Sequence, residues 1–212
     1  ELDAMPEFRA ISGNIVFPGF TAPKLCWVAN NEPDLFKRVA KVLLPKDYIA
    51  YWLSGEYISE MSDAAGTGWL DVENRCWSET LLSLSGMRLA QMPRLVEGSD
   101  HAAYLKPELA AKWGMQDQVI IGGGAGDNAA SAIGMGVIKE GQAFLSLGTS
   151  GVIFAATEGY KPLPESAVHA FCHAIPNTWH QMGVILSTTD ALNWYAKLTD
   201  RSAAELNAAL DD

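Results

Sequence analysis

Gly124-Ala125-Gly126-Asp127-Asn128-Ala129-Ala130, followed by Ser146-Leu147-Gly148-Thr149-Ser150-Gly151, is the stretch on which the reading of this chain turns. The first run places one carboxylate, Asp127, where a short apolar strand gives way to a helix of small residues. A carboxylate at a strand end can receive the proton of a hydroxyl. The second run is a glycine-flanked hydroxyl turn between two apolar segments, able to wrap N–H groups and hydroxyls around phosphate. Together they point to phosphoryl transfer onto an alcohol. Taken singly, each has a plainer reading. Asp is a preferred residue at a helix start, and Thr and Ser are ordinary in turns.

Strand, Gly124-x-Gly126-x-x-Ala129 and helix also satisfy the dinucleotide-binding fingerprint. That fold needs an acidic residue about 20 positions further on, at the end of the next strand. Residues 145–150 hold no carboxylate, and Asp127 would stand against the pyrophosphate and repel it. The dinucleotide reading is set aside.

The bulk properties narrow the field further. A chain of 212 residues that is 49% hydrophobic can bury a sizeable core in one large or two small domains. The formal charge of −10, with basic residues scattered, argues against a nucleic-acid partner. No apolar run approaches the roughly 18–20 residues of a membrane span, so no membrane partner is expected. The start, Glu1-Leu2-Asp3-Ala4-Met5-Pro6, has neither the basic nor the apolar part of a signal peptide. It lacks an initiator methionine and reads as the interior of a helix, so an internal fragment is expected. Cys26, Cys76 and Cys172 stand at unrelated spacings in apolar contexts and read as buried, reduced thiols of a cytoplasmic protein.

Along the chain, residues 23–28 and 34–42 carry helical patterns, and 47–53 looks like a helix stopped by Gly55. Ser78 is a plausible N-cap for a helix to Ser85 with Gly86 after it, and Pro107 opens another that ends before Gly114. From Gln118 strand and helix alternate: a strand over 118–122, a helix over 128–136, and a polar break at Lys139-Glu140-Gly141. Strands over 143–147 and 152–156 flank the hydroxyl turn. A second pair, 170–175 and 179–186, turns at Pro176-Asn177. Ser187 with Asp190 suggests a capping box for a helix to Leu198, and 203–210 reads as one more helix. His169, Cys172 and His173 have metal-like spacing but no fourth ligand nearby, so no metal site is expected. Trp179 and His180 read as strand packing.

Further short pieces carry a resemblance. They are Gly13-Asn14 with Pro18-Gly19-Phe20-Thr21-Ala22-Pro23-Lys24-Leu25, Val42-Leu43-Leu44-Pro45-Lys46-Asp47-Tyr48, and Met61-Ser62-Asp63-Ala64-Ala65-Gly66-Thr67 with Trp69-Leu70-Asp71. Glu165-Ser166-Ala167-Val168-His169-Ala170-Phe171-Cys172-His173 closes the series. In this order, and together with the two opening motifs, they make the chain resemble the FGGY carbohydrate kinases over essentially its whole length. The resemblance implies an α/β protein with part of an actin-like ATPase (ribonuclease H-like) fold. Residues 1–140 would be the C-terminal part of the first, sugar-binding domain, and 141–212 the beginning of the second, on the ATP-phosphate side.

Carried over residue by residue, Asp127 is implied as the base that accepts the sugar hydroxyl's proton, and Asn128 as a sugar-hydroxyl ligand. Gly148, Thr149 and Ser150 are implied to face the ATP phosphates. Met61 falls where related members place a substrate-contacting tyrosine; simple core packing is an equal reading for it. The implied cofactors are ATP and Mg2+, the metal held through phosphates and residues outside this chain. Within the family the chain looks most like members that phosphorylate D-xylulose at its 5-hydroxyl, with ribulose, another pentulose or a glycerol-like polyol as alternatives. A non-catalytic actin-like nucleotide-binding module is a reading of another class, against which Asp127 speaks. The family's Asp-x-Gly-Thr phosphate hairpin and its adenosine loop are absent, so the fragment alone is expected to be inactive. The implied partners are a small sugar and ATP, with a homodimer admitted for the full-length parent. Lys139 to Gly141 is a candidate hinge between the two sides.

Overall fold

Proline and glycine set the boundaries of the first helices. The computed structural model describes residues 1–210. It opens with α1 (Pro6–Ser12), α2 (Thr21–Asn31), α3 (Pro33–Phe36) and α4 (Pro45–Ser54). Three of these begin on proline, whose missing N–H is no loss in a first turn. The ends of α1 and α4 are closed by Gly13 (φ +68°) and Gly55 (φ +86°), a conformation that costs glycine little. The expected helix interior at the N-terminus is instead a single 3-10 turn over Leu2–Ala4 before Pro6.

Next come β1 (Ile58–Glu60), α5 (Met61–Ala64), β2 (Leu70–Asp71), β3 (Cys76–Trp77), α6 (Glu79–Leu84), β4 (Arg94–Val96), β5 (His101–Tyr104), α7 (Pro107–Lys112) and β6 (Ile120–Gly122). They form three two-stranded ladders: β1 with β4 in parallel, and β2 with β3 and β5 with β6 antiparallel. Between the helices and these ladders lies the first core. Trp69, Phe8, Leu81 and Leu82 are wholly buried there, and the Trp69 Nε1–H donates to Ser85 Oγ at 2.8 Å.

The remainder is α8 (Asp127–Gly134), β7 (Ala143–Leu147), β8 (Gly151–Thr157), β9 (His169–Cys172), β10 (Trp179–Ile185), α9 (Thr189–Leu198) and α10 (Ala203–Ala208). The four strands form one antiparallel sheet in the order β7-β8-β10-β9. Strand alternation turns Phe144, Phe154, Ala156 and Met182 toward Ala132 and Val137, while Leu145, Ile153 and Ile185 are exposed. The sheet is sewn to the first part of the chain along β9 and β10. Asn14 Nδ2–H donates to Ala170 O (3.0 Å) and accepts from Ala170 N–H at Oδ1 (2.9 Å). Trp179 Nε1–H donates to Val72 O (2.8 Å), and Arg75 to Thr178 O (3.0 Å).

Several expectations are corrected. The helix expected over 34–42 stops at Phe36. Residues 39–42 are held outside any helix by Gln91: Val42 N–H donates to Gln91 O, and Gln91 Nε2–H to Val39 O. The strand expected over 170–175 ends at Cys172, where His173 N–H closes a tight turn onto Thr178 O. No capping box joins Ser187 and Asp190. Thr188 occupies the N-cap position without a side-chain cap bond, and its N–H is drawn to Thr149 O instead. Cys172 is buried, but Cys76 is exposed, since in the two-residue β3 its neighbour Trp77 takes the inner side. No helix among the described residues is long and apolar enough to cross a membrane.

Candidate active site

Asp127 sits at the first position of α8, with Gly126 as the N-cap in extended conformation. It does not cap the helix. Its Oδ1 accepts from the N–H of Asn128 (2.7 Å) and from the Asn128 side-chain amide (3.1 Å). Among the described residues Oδ2 accepts no hydrogen bond, so one carboxylate oxygen is held and the other is open. That is the arrangement a proton acceptor needs.

Asp127 and Asn128 line a cleft of about 70 Å3 with Ser62, Asp63, Gly66, Phe171, His180 and Met182. The cleft is open to solvent on one side, and both Asp127 and Asn128 reach it. One wall comes from α5 and the start of α8; the other comes from β9 and β10. His180 is nearly fully buried against the Phe154 ring (centroids 4.1 Å apart), and burial pushes its pKa down to about 3. Neither of its ring nitrogens has a hydrogen-bond partner among the described residues. Met61 is not in the cleft lining; it is buried with Ala64, Ala65, Leu70, Val72 and Cys172.

Behind the first wall is a set of charges that the sequence did not disclose. Glu60, wholly buried at the end of β1, caps α5: its carboxylate accepts from Ser62 N–H (2.7 Å), Ser62 Oγ–H (2.8 Å) and Asp63 N–H (2.9 Å). Lys46 Nζ lies 2.7 Å from Asp47 Oδ1, 3.6 Å from Glu60 Oε1 and 3.7 Å from Asp63 Oδ2. Three carboxylates thus share one ammonium. Burial pushes the Asp63 pKa up to about 6 against the pull of Lys46, and Glu60, Asp47 and Asp127 add to the rise. Lys46-Asp47 and Ser62-Asp63 lie within the family-like segments, but nothing in their spacing shows that they meet.

The Gly148–Ser150 turn is elsewhere. It is exposed, and none of its residues lines the cleft that holds Asp127. Its backbone oxygens are tied to the start of α9: Thr188 N–H donates to Thr149 O (2.7 Å), and Thr189 Oγ1–H to Gly148 O (2.7 Å). Ser150 Oγ–H donates to Leu186 O (3.0 Å). Thr188 Oγ1, packed against Gly151, is buried and has no hydrogen-bond partner among the described residues. The metal-like trio is otherwise engaged. His169 packs among Phe17, Phe20 and Phe171, Cys172 Sγ faces Val72 O, and a His173 ring nitrogen is 3.0 Å from Val137 O.

Residues 1–134 match the N-terminal domain of the FGGY family of carbohydrate kinases. The xylulose kinase of Escherichia coli (strain K12) is 54% identical over 198 residues, covering 93% of this chain and 41% of that protein. The xylulose kinase of Bacillus subtilis (strain 168) is 38% identical over 187 residues, covering 88% and 38%. Among solved structures, the xyloylose kinase from Brucella ovis aligns with a TM-score of 0.94 at 64% identity, over 99% of this chain and 43% of that one. The xylulose kinase from Rhodospirillum rubrum aligns at 0.86 with 28% identity, over 97% and 42%. The chain therefore spans well under half the length of these relatives. Its mixed helix and sheet are part of the actin-like ATPase fold of the FGGY sugar kinases, as expected. With the family's pattern running through most of its length and relatives this similar over nearly all of it, the chain belongs to the FGGY family of carbohydrate kinases.

Proposed function

We propose that the protein containing this chain transfers the γ-phosphoryl group of ATP to the 5-hydroxyl of D-xylulose. The observation that carries the chemistry is Asp127, with one oxygen held by Asn128 and the other open in a cleft. The similarity to xylulose kinases supports the choice of sugar. The alcohol oxygen forms the new bond to the γ-phosphorus as the bond to the β–γ bridging oxygen breaks. ADP leaves, and the hydroxyl proton passes to Asp127. Asn128, whose amide both donates and accepts, orients a sugar hydroxyl. Met61, buried in the core and outside the cleft lining, takes the packing reading.

In this reading residues 1–140 supply the sugar side and 141–212 open the phosphate side, the latter described to Leu210. Gly148, Thr149 and Ser150 face the phosphates. The exposure of the turn supports this, since its N–H groups and hydroxyls can be reached by an anion that brings many acceptor oxygens. Among the described residues no group of three or more His, Cys, Asp or Glu side chains is placed to hold a metal ion. Mg2+ would be held through the ATP phosphates, whose negative charge it neutralises, and through residues outside this chain. The sugar side and the phosphate side close on each other to bring the alcohol to the γ-phosphate. Lys139 to Gly141 is the joint, with Gly141 at φ +86° in open space. Identical angles between the two sides in sugar-free and sugar-bound crystals of the full-length protein would count against that joint.

The test is coupled ADP release by the full-length protein over a panel of pentuloses and polyols, with and without Asp127→Asn. D-xylulose should give the highest kcat/KM. The variant should lose about 10²–10⁴-fold in kcat, the range of general base catalysis. Turnover close to that of the unaltered protein would overturn the assignment of the base.

A further inference from the structure

The structure assigns Ser62 and Glu60 as positioning residues for Asp127. Ser62 Oγ stands between two halves of the cleft wall that are 64 residues apart in sequence: it donates to the Glu60 carboxylate (2.8 Å) and accepts from Gly126 N–H (2.9 Å). Gly126 is the residue directly before Asp127 and the N-cap of its helix. The direction of the Ser62 hydroxyl is fixed by the chemistry. A buried carboxylate only accepts, so the hydroxyl proton points to Glu60 and a lone pair is left for the Gly126 N–H. A neutral amide in place of Glu60 would allow the hydroxyl to turn round.

Three further observations make this a built relay rather than a chance contact. Glu60 is wholly buried, and the three hydrogen bonds that its oxygens accept all come from Ser62 and Asp63, so its carboxylate is directed at the segment that carries Ser62. Lys46 Nζ stands 3.6 Å from Glu60 Oε1 and places a positive charge beside the buried carboxyl group. Gly126 backs onto α5: an added Cβ would be in van der Waals contact with Asp63, 3.4 Å from its Cα. The α8 N-terminus is thereby clamped to α5 on the side from which Asp127 meets the cleft. The inference rests on Asp127 being the base, and it says how the base is held at its reacting distance.

The test uses the full-length protein carrying Ser62→Ala, Ser62→Thr or Asp127→Asn, assayed with D-xylulose and ATP. Ser62→Ala should lower kcat about 10- to 100-fold, the penalty for a base displaced by a fraction of its reacting distance. It should leave KM for ATP within twofold. Ser62→Thr, which keeps the hydroxyl, should recover most of the loss. In glycine-selective 15N spectra the Gly126 amide proton should move upfield in the Ala variant and hold in the Thr variant. That readout does not depend on turnover. Ser62→Ala with unchanged kcat, beside an inactive Asp127→Asn, would overturn the positioning role and leave the base standing. Full activity in Asp127→Asn would remove the base and the relay with it.

Discussion

The two ends of the proposed reaction are held by different kinds of interaction. The wall behind Asp127 is a buried network in which Glu60 and Asp47 are almost fully enclosed and one lysine serves three carboxylates. The Gly148–Ser150 turn is exposed and hangs on hydrogen bonds to its own carbonyls from the start of α9. A base must be fixed within a fraction of an ångström, and a low-dielectric network of charges provides that rigidity at high cost if broken. A phosphate loop works through many weak donors and tolerates adjustment. In the proposed division, stability concentrates on the side assigned to the sugar and adaptability on the side assigned to phosphate.

Removing the cation is the hardest test of that contrast. In Lys46→Met, Asp47 and Glu60 stay buried without their common partner, and the penalty should be about 3–5 kcal/mol in urea unfolding. A loss under about 1 kcal/mol would show that the network is well solvated and that the contrast is false.

The second test uses Asp63, whose carboxyl titrates near 3.8 in the unfolded chain and at about 6 in the fold. Between those values the native state holds the extra proton. Stability from this group is therefore greatest below pH 4, falls as pH rises to about 6, and is level above. The loss is about 2 kcal/mol, allowing for a side chain that is 31% exposed. Asp63→Asn should remove it, so the variant gains on the unaltered protein by that amount between pH 4 and pH 7. Parallel stability curves across that range would show that Asp63 ionises freely and is no part of the buried wall.

Much of the local structure was legible in the sequence, for reasons that the two regions make clear. Ser78 before α6, Pro107 before α7 and the hairpin around Gly148–Ser150 are fixed by neighbours in the chain, so capping and alternation reveal them. The short ladders are not legible. β1 pairs with β4 across 36 residues over three positions, too few to show a period. The Lys46 cluster is hidden for the same reason. Lys46, Glu60 and Gly126 are joined only by the fold, and a glutamate at an N-cap is not the residue that capping rules favour. Asp127 was legible because a glycine turn after a strand announces it. The residues that hold it were not, since positioning acts through tertiary contacts that leave no mark on local pattern.

The smallest effect belongs to the phosphate side. Thr189→Val removes the hydroxyl that donates to Gly148 O at 2.7 Å, while the Thr189 N–H remains 3.2 Å from the same oxygen. One exposed hydrogen bond is worth about 0.5–1.5 kcal/mol, so the unfolding free energy should move by no more than that. The turn would keep its place on average but fluctuate more. KM for ATP should then rise about 2- to 10-fold with KM for the sugar unchanged. The two Michaelis constants separate the ends of the site: a rise in the sugar constant alone would place the turn with the sugar, against the proposed division. A stability loss as large as that of Lys46→Met would mean that the turn, too, is a rigid part of the wall. An adaptable loop predicts neither, because the proposed grip on phosphate would be shared among N–H groups that this substitution leaves in place.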